Sequence, residues 1–310
     1  MTPLTTISGA PASRLCFGAM QFGGAADETA SRAMYQDCRA AHVNFFDTAH
    51  GYTGGLSEQW LGSFAGAERD DVIIASKVGY TGGAGRKTIL SQFDASRSRL
   101  GIDRLDILYM HRFDPDTALD ETFEALASLQ AAGSIRYIGV SNYAAWQVMK
   151  AQSVAAAMGT RIDIIQPMYS LVKRQAEVEL LPMAASESIA VASYSPLGAG
   201  LLTGKDAGAG DGRLATDARY AARYGEAWMH EAGAGLTALA QSLGHHPATL
   251  AVAWAAHHPS VTAPIISARN AAQLAPSLAA KDLHLSDADY AAVSALSPTP
   301  PPATDRLEEA

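Results

Sequence analysis

The feature that most constrains the fold is an alternation of short apolar runs with longer stretches of helical period, repeated eight times along the 310 residues. The short runs are rich in β-branched and aromatic residues, which favours strands, and the longer stretches place apolar residues three and four positions apart, which favours amphipathic helices. Strands are predicted at Leu15–Met20, Val43–Thr48, Val72–Lys77, Ile107–His111, Tyr137–Ser141, Ile164–Pro167, Val191–Ser195 and Pro264–Ser267, and helices at Ala30–Ala41, Thr88–Leu100, Asp120–Ala132, Ala144–Ala156, Ala176–Ala185 and Trp228–Leu243. Eight β-α units in about 250 residues predict a single (β/α)8 TIM barrel of the α/β class.

No Pro- or Ser-rich linker divides the chain, so we expect one barrel domain over residues 1–297 and a Pro-rich tail over residues 298–310. Gly204–Gly225, rich in Gly, Ala, Asp and Arg, is predicted to be a long mobile loop after strand seven. Ser286–Leu296 is predicted to be an added C-terminal helix. The tail is either extended and disordered or folded back over the barrel, and the sequence leaves both open.

Charge and composition exclude several classes of protein. The net charge of −8, with acidic and basic residues interspersed, argues against a nucleic-acid or anionic-membrane partner. Cys16 and Cys38 have no metal-ligand spacing and are expected to be small core residues in a reducing compartment. No apolar run is long enough to span a membrane. We therefore expect a cytoplasmic protein that acts on a small molecule without a metal, and the oligomeric state stays open.

Four polar side chains, Asp47, Tyr52, Lys77 and His111, lie at or just beyond the ends of predicted strands. Because the carboxyl ends of parallel strands share one rim of a barrel, we expect them to meet there. A free phenol with a pKa of about 10 is a poor proton donor at neutral pH, but a lysine ammonium beside it would lower that pKa, and a carboxylate would keep the lysine charged. A histidine can donate to a carbonyl oxygen. The set suits protonation of a carbonyl oxygen while a hydride reaches the carbon.

Each of these residues has a structural explanation when it is taken alone. Asp47 can end a strand or begin a turn, Tyr52 can be a surface aromatic, Lys77 a solvated strand end and His111 a partly buried histidine. Their common position at the catalytic rim of a predicted barrel favours the catalytic interpretation for the set.

The sequence resembles the aldo-keto reductase family over most of its length. The segments that carry the resemblance are Asp47–Tyr52, Ser57-Glu58, Ser76-Lys77, Asp106–Arg112, Gly139–Asn142, Tyr194–Lys205 and Ile265–Asn270. The resemblance implies a (β/α)8 barrel that reduces carbonyl groups with a nicotinamide cofactor. It also implies Tyr52 as the acid, supported by Lys77, Asp47 and His111.

The cofactor is expected in the barrel loops, because no strand is followed by Gly-x-Gly-x-x-Gly at the start of a helix. The resemblance implies that Ser141, Asn142 and Gln166 hold the nicotinamide carboxamide, that Tyr169 stacks on its ring, that Ser267 and Arg269 contact a 2′-phosphate, and that Gln273 contacts adenine. Small residues after strand seven can bring backbone amides to a pyrophosphate, and the residues expected there are Ser195, Leu197, Gly200 and Lys205. Arg269 predicts NADPH over NADH, although Pro276 and Ser277 replace the acidic and amide residues usual in the family.

The residues expected to line the substrate pocket are Met20, Phe22, Tyr80, Arg112 and Trp228. A mixed apolar and cationic lining would accept a sugar aldehyde, a small aromatic aldehyde or a phosphorylated aldehyde. Arg112 could instead form an ion pair with Asp114 or Asp116. Two other functions stay open: a Schiff-base aldolase that uses Lys77, and an NADP-binding regulatory subunit with slow turnover, like the channel-associated β subunits of the family.

Overall fold

In the computed structural model, residues 3–204, 213–306 and 308 are described, and they contain eight parallel strands in one sheet. The strands are β1 Cys16–Gly18, β2 Phe45–Asp47, β3 Ile73–Val78, β4 Leu105–Met110, β5 Ile135–Ser141, β6 Ile164–Gln166, β7 Ala190–Val191 and β8 Ile265–Ile266. Each strand from β1 to β6 pairs in parallel with the next one along the chain, and β8 pairs with β1.

The sheet closes between β7 and β8. Beyond the end of β7, the Ser193 carbonyl accepts a hydrogen bond of 2.7 Å from the Ile265 amide, and Tyr194 forms a parallel bridge with Ile265. Every strand therefore has a neighbour on both sides, as a barrel requires. The predicted (β/α)8 barrel is confirmed, although most strands differ from the predicted ranges by one to four residues at an end.

The helices pack outside the strands. They are α1 Glu28–Ala40, α2 Leu56–Ala65, α3 Arg86–Leu100, α4 Leu119–Ala131, α5 Ala145–Ala157, α6 Leu180–Ser186, α7 Arg213–Thr216, α8 Ala218–Arg223, α9 Ala227–Ser242, α10 Pro247–His257, α11 Ala271–Leu278 and α12 Asp287–Ser294. The predicted C-terminal helix corresponds to α12, whose Ser294 hydroxyl accepts a 2.8 Å hydrogen bond from Trp254 on α10.

Several helices differ from the prediction for identifiable reasons. The predicted helix Ala176–Ala185 is divided into a 3-10 turn, Gln175–Glu177, and α6, because Pro182 is tolerated in the first turn of a helix but not in its interior. Helix α10 was not predicted; it is buried along most of its length and so lacks the polar face that marks an amphipathic helix. Helices α2 and α11 were also not predicted.

The connection between β7 and α9 is long, as predicted, and its described part is not only a loop. Two short helices, α7 and α8, lie within the segment Gly204–Gly225, and the Asp217 side chain caps α8. The domain boundary at residue 297 stays a prediction, and residues 298–306 form no regular helix or strand.

The side chains of the strands form two layers that alternate along each strand. One apolar cluster fills the barrel interior, and a larger one lies between strands and helices. Asp47, Lys77, His111 and Gln166 each lie two positions beyond an inward-facing residue of the interior cluster, respectively Phe45, Ala75, Tyr109 and Ile164. Because side chains alternate with a period of two, this register directs the four polar groups toward the barrel axis at the carboxyl end.

Candidate active site

Lys77 is the centre of the polar cluster. Its side chain is buried, with 1% of the residue exposed. Its ammonium group donates to Oδ1 of Asp47, to the Thr48 carbonyl at 2.8 Å and to the Tyr52 hydroxyl oxygen at 3.3 Å. Since an ammonium group has three N–H donors, each of them has an acceptor. Lys77 therefore connects the carboxylate to the phenol directly.

The charge of Lys77 is maintained by these partners. Burial by itself favours the neutral amine, but the Asp47 carboxylate and the Tyr52 oxygen outweigh it and raise the pKa of Lys77 above its ordinary value. A Schiff base requires a neutral amine with a free lone pair. The arrangement therefore argues against the aldolase alternative.

Asp47 is held by a second partner across the barrel. The Gln166 side-chain amide donates to Oδ2 of Asp47 at 2.9 Å, while Lys77 occupies Oδ1. The sequence assigned Gln166 to the nicotinamide carboxamide and did not anticipate this bond. A signal was available, because Gln166 lies in the same inward register as Asp47 and Lys77.

Tyr52 accepts a hydrogen bond from Lys77, so its own O–H is free to donate elsewhere. Burial raises the pKa of the Tyr52 phenol, Lys77 opposes that rise, and the net pKa lies above the ordinary value. Burial therefore outweighs the expected lowering of the pKa by Lys77, which is present but smaller. The buried phenolate loses more solvation than Lys77 returns. At neutral pH Tyr52 carries its proton.

His111 faces Tyr52 with its ring centre 5.8 Å from that of the tyrosine, at a nearly perpendicular angle. Burial lowers the pKa of His111 to about 3, and the charges of Lys77 and Arg112 act in the same direction. The imidazole is therefore neutral at neutral pH. Its Nδ1 atom is buried without a hydrogen-bond partner among the described residues.

A buried carboxylate on α2 supports the loop that carries Tyr52. Glu58 accepts a 2.6 Å hydrogen bond from Ser76, the neighbour of Lys77, and pairs with Arg99 at 3.2 Å. The same guanidinium nitrogen of Arg99 donates to the His50 carbonyl at 2.9 Å. Ser57-Glu58 is one of the segments that carry the family resemblance, but no role was predicted for Glu58 from the sequence.

Arg99 reaches this loop only because Gly55 has no side chain. A Cβ atom at Gly55 would come within 2.7 Å of the Arg99 guanidinium carbon, and Gly55 has a φ of +99°. The guanidinium therefore packs directly under the 3-10 turn Tyr52–Gly55, which positions the phenol.

Asn142 connects three loops at the mouth of the barrel. Its side-chain amide donates to the His111 carbonyl at 2.9 Å, and its Oδ1 accepts a 2.7 Å hydrogen bond from Tyr194. Its φ of +58° is one that asparagine adopts more readily than most residues. Ser141 donates to the Gln166 carbonyl at 3.0 Å, so the predicted carboxamide residues are brought together.

Tyr169 is not at the site, and the expectation that it stacks on nicotinamide is wrong. Its ring lies in the layer between strands and helices, stacked on Trp254 at 5.1 Å, and its hydroxyl donates to Glu177 at 2.8 Å. Tyr169 has the outward register of β6. Tyr194 has the inward register of β7, is only partly buried and faces the polar cluster, so it is the aromatic residue that the sequence reasoning missed.

Phe22 is a second correction. It is fully buried and packs against Phe17 at 5.5 Å and Phe64 at 5.8 Å, so it belongs to the core and not to a substrate pocket. Met20 is partly buried in a short 3-10 turn, Ala19–Gln21. Trp228 is partly buried against the outer core.

The loops after β7 and β8 contain the residues expected to hold phosphates. The turn after β7 has left-handed backbone at Ser195, Gly198, Ala199 and Gly200, and Leu197 is partly buried within it. Lys205 lies outside the described residues. Such turns can direct amides toward an anion.

After β8, the buried Ser267 hydroxyl has no hydrogen-bond partner in the described part of the chain. The Arg269 amide donates to Oε1 of Gln273 at 3.3 Å, and the Asn270 side chain caps α11. An unpartnered buried hydroxyl beside an arginine fits a phosphate or ribose oxygen. The residues present are therefore compatible with a nicotinamide dinucleotide.

Residues 3–204 and 213–306 contain neither a metal site nor a membrane-spanning helix. No group of three or more His, Cys, Asp or Glu side chains is arranged to hold a metal ion there. None of the helices in these ranges combines the length and hydropathy of a membrane span.

Comparison with known proteins gives a consistent result. The family model described as "Aldo/keto reductase family" matches residues 14–298. A probable voltage-gated potassium channel subunit beta from Oryza sativa is 34% identical over 80% of this chain and 81% of its own length. Norsolorinic acid reductase B from Aspergillus parasiticus is 33% identical over 64% of this chain and 58% of its own length. An uncharacterized oxidoreductase from Bacillus subtilis is 34% identical over 64% of this chain and 67% of its own length.

Proposed function

This chain belongs to the aldo/keto reductase family and is an NAD(P)-dependent oxidoreductase; from that premise we propose that it reduces an aldehyde or ketone to the alcohol with NADPH, and that Tyr52 supplies the proton. The observation that carries the proposal is the hydrogen bond from Lys77 to the Tyr52 oxygen at 3.3 Å. That bond leaves the phenol proton available to a substrate.

Each polar side chain has a separate task in this proposal. The loops after β7 and β8 would hold the dinucleotide, whose nicotinamide would provide the hydride. Tyr52 donates its proton to the carbonyl oxygen, and the ammonium of Lys77 stabilises the phenolate that remains. Asp47, held by Gln166, keeps Lys77 charged and oriented. The neutral His111 ring orients the carbonyl oxygen from the opposite side.

The preference for NADPH is part of the proposal. Arg269 and the unpartnered Ser267 hydroxyl lie after β8, where a bidentate guanidinium suits a 2′-phosphate. Arg269→Ala should weaken NADPH binding by about 10–100-fold and NADH binding much less, because a charge-assisted pair contributes about 1.5–3 kcal/mol. Equal losses for both cofactors would reject this role.

A regulatory role with slow turnover is the second candidate, and it is supported by the relatives named as potassium channel subunits. The complete set of Tyr52, Lys77, Asp47 and His111 favours turnover. An NADPH-binding protein that consumed no carbonyl compound would support the regulatory role instead.

The test is a panel of aldehydes, sugars and ketones in which NADPH and NADH oxidation is followed by absorbance. Tyr52→Phe is the matched control, since it removes one hydroxyl and keeps the ring. We expect kcat/KM to fall by about 10²–10⁴-fold, the contribution typical of a positioned acid. NADPH affinity, measured separately by fluorescence, should change little. Full activity in Tyr52→Phe would show that another group is the acid.

A further inference from the structure

Arg112 lies beside His111, and the proposed function gives this charged residue no role. It directly follows His111, is exposed, and its guanidinium carbon lies 5.1 Å from the centre of the Tyr80 ring. The alternative, an ion pair with Asp114 or Asp116, is absent among the described residues, and Asp114 interacts with the charge of Arg112 only beyond ion-pair distance. Asp114 instead accepts hydrogen bonds from the Ala84 amide at 2.8 Å and Thr117 at 2.7 Å.

Tyr80 places this guanidinium next to the reacting groups. The Tyr80 ring is half exposed and its centre lies 4.8 Å from that of His111, so a single ring separates the guanidinium from the imidazole. A guanidinium stacked on an aromatic face keeps its N–H donors in one plane and loses little freedom on binding. The arrangement presents a preorganised cation at the mouth of the site.

A second guanidinium, that of Arg219 on α8, lies near the same ring, since Asp217 and, to a lesser extent, Tyr80 raise the pKa of Arg219. Arg219 is paired with Asp217 at 2.8 Å, whereas no carboxylate pairs with Arg112 in the described ranges. Arg112 is therefore a cation at this mouth that an incoming anion can meet without displacing a salt-bridged carboxylate.

The cofactor's phosphates are not the anion in question. The residues expected to hold them follow β7 and β8, whereas Arg112 follows β4. In the closed ring, β4 lies between β3 and β5, and β8 lies between β1 and β7. The two sites are on opposite sides of the barrel mouth.

We propose that the carbonyl substrate carries an anionic oxygen group, a carboxylate or a phosphate, and that Arg112 on its Tyr80 platform binds this group while the carbonyl lies between Tyr52 and His111. The inference rests on the proposed carbonyl reduction. It narrows the substrate from carbonyl compounds in general to acidic aldehydes and ketones.

The test uses pairs of aldehydes in which one member carries an added anionic group. Benzaldehyde is compared with 4-carboxybenzaldehyde, and glyceraldehyde with glyceraldehyde 3-phosphate, so the two pairs separate a carboxylate from a phosphate preference. In the wild-type protein kcat/KM should favour the anionic member of at least one pair by about tenfold or more, mainly through KM, as expected for a charge-assisted contact. Added salt should reduce the ratio.

Variants of two arginines at the same mouth identify the contact. Arg112→Met should lower the anionic-to-neutral ratio about tenfold, and Arg112→Lys should restore part of it. Arg219→Met is the matched control, because it removes a guanidinium that is already paired, and it should keep the ratio. Equal ratios in wild type and Arg112→Met, or equal losses in both methionine variants, would overturn the proposal.

The same experiments distinguish a failure of the proposed carbonyl reduction from a failure of the proposed role of Arg112. In that case neither member of a pair would be consumed, or Tyr52→Phe would reduce both at the wild-type rate. A protein that reduces the neutral aldehydes through Tyr52 but shows no dependence on Arg112 would retain the proposed function and lose this inference.

Discussion

Two buried carboxylates at opposite ends of the barrel have similar surroundings and different consequences. Asp106, near the start of β4, pairs with Arg69 and Arg136, each at 2.8 Å, and accepts a 2.9 Å hydrogen bond from the Ile74 amide. Asp47, at the end of β2, is held by Lys77 and Gln166. Both carboxylates satisfy the rule that a buried charge is paired and hydrogen-bonded.

The groups that the cationic partners of Asp106 and Asp47 contact explain why the two carboxylates have different roles. The two guanidinium groups around Asp106 also donate to backbone carbonyls, including those of Val72 and Thr5. Arg136 reaches a phenol as well, the Tyr137 hydroxyl at 3.5 Å, but Tyr137 lies near the start of β5, at the end of the barrel away from the polar cluster. Lys77 directs its remaining N–H to a phenol at the open end of the barrel. Both networks therefore reach a phenol, and the position of that phenol separates them. Tyr52 lies beside His111 at the carboxyl rim, where a substrate can take its proton, whereas the network of Asp106 stabilises the fold.

The largest effect should come from Lys77→Met. We expect kcat to fall by about 10²–10⁴-fold, because Tyr52 loses the cation that stabilises its phenolate. The free energy of unfolding should also fall by about 3–5 kcal/mol, since Asp47 stays buried without its cation. Steady-state kinetics and urea denaturation measure the two quantities. If Lys77→Met lost stability but kept kcat, the pair of Lys77 and Asp47 would be structural, like the ion pairs of Asp106.

Asp106→Asn should affect stability alone. Removal of the charge leaves two arginines without their carboxylate and should lower the free energy of unfolding by about 3 kcal/mol. The kcat of the folded protein should stay within about twofold of wild type, as it would for a substitution that leaves the reacting groups in place. A large decrease in kcat would show that Asp106, at the end of the barrel where the strands begin, also affects the reacting groups at the carboxyl rim.

Arg99 has both a structural and a positioning role, because it forms a partly buried pair with Glu58 and also holds the loop before Tyr52. Arg99→Met should lower kcat about tenfold with little change in KM for the cofactor, since a displaced phenol transfers its proton less efficiently. Arg99→Lys should recover part of the activity if one N–H still reaches the His50 carbonyl. A loss of stability without any change in kcat would place Arg99 with Asp106 as a structural residue.

The smallest effect concerns acid. His111 has a pKa of about 3 in the folded protein against an ordinary value of 6.5, so below pH 6.5 the unfolded chain binds a proton that the folded one does not. Stability therefore falls as the pH falls from 6.5 toward 3, by about 2 kcal/mol at pH 5. Denaturation at pH 7 and pH 5 should show this loss in wild type and not in His111→Gln. An equal loss of stability in wild type and His111→Gln would show that a group other than His111 causes it.

The success and failure of the sequence predictions follow from the range over which each signal acts. The strand ends that deliver Asp47, Lys77 and His111 were recognisable, because strand patterns and their polar ends are local. Helix α10 was missed because it is buried on most sides and shows no amphipathic period. Phe22 and Tyr169 were misplaced for a related reason, since an aromatic residue near a strand end suits a pocket and a core equally well.

The register of the strands would have corrected one of these errors. Counting in twos from Ile164 places Gln166 inside the barrel and Tyr169 outside it, whereas counting from Ala190 places Tyr194 inside. The same counting directs Gln166 and Asp47 to the same rim, but it does not show that their side chains hydrogen-bond to each other. That hydrogen bond joins residues 119 positions apart, across the barrel.

By itself, the sequence determined the barrel, the family and the identity of the four groups at its rim, because periodicity and short motifs are properties of neighbouring residues. Only the tertiary structure decided how those groups act. The closed ring brings Asp47, Lys77, Tyr52 and His111 into a site that excludes much of the water, where burial and proximity set their charges. The desolvation that raises the pKa of Tyr52 and lowers that of His111 depends on all the atoms packed around them, and no local pattern of residues encodes that sum.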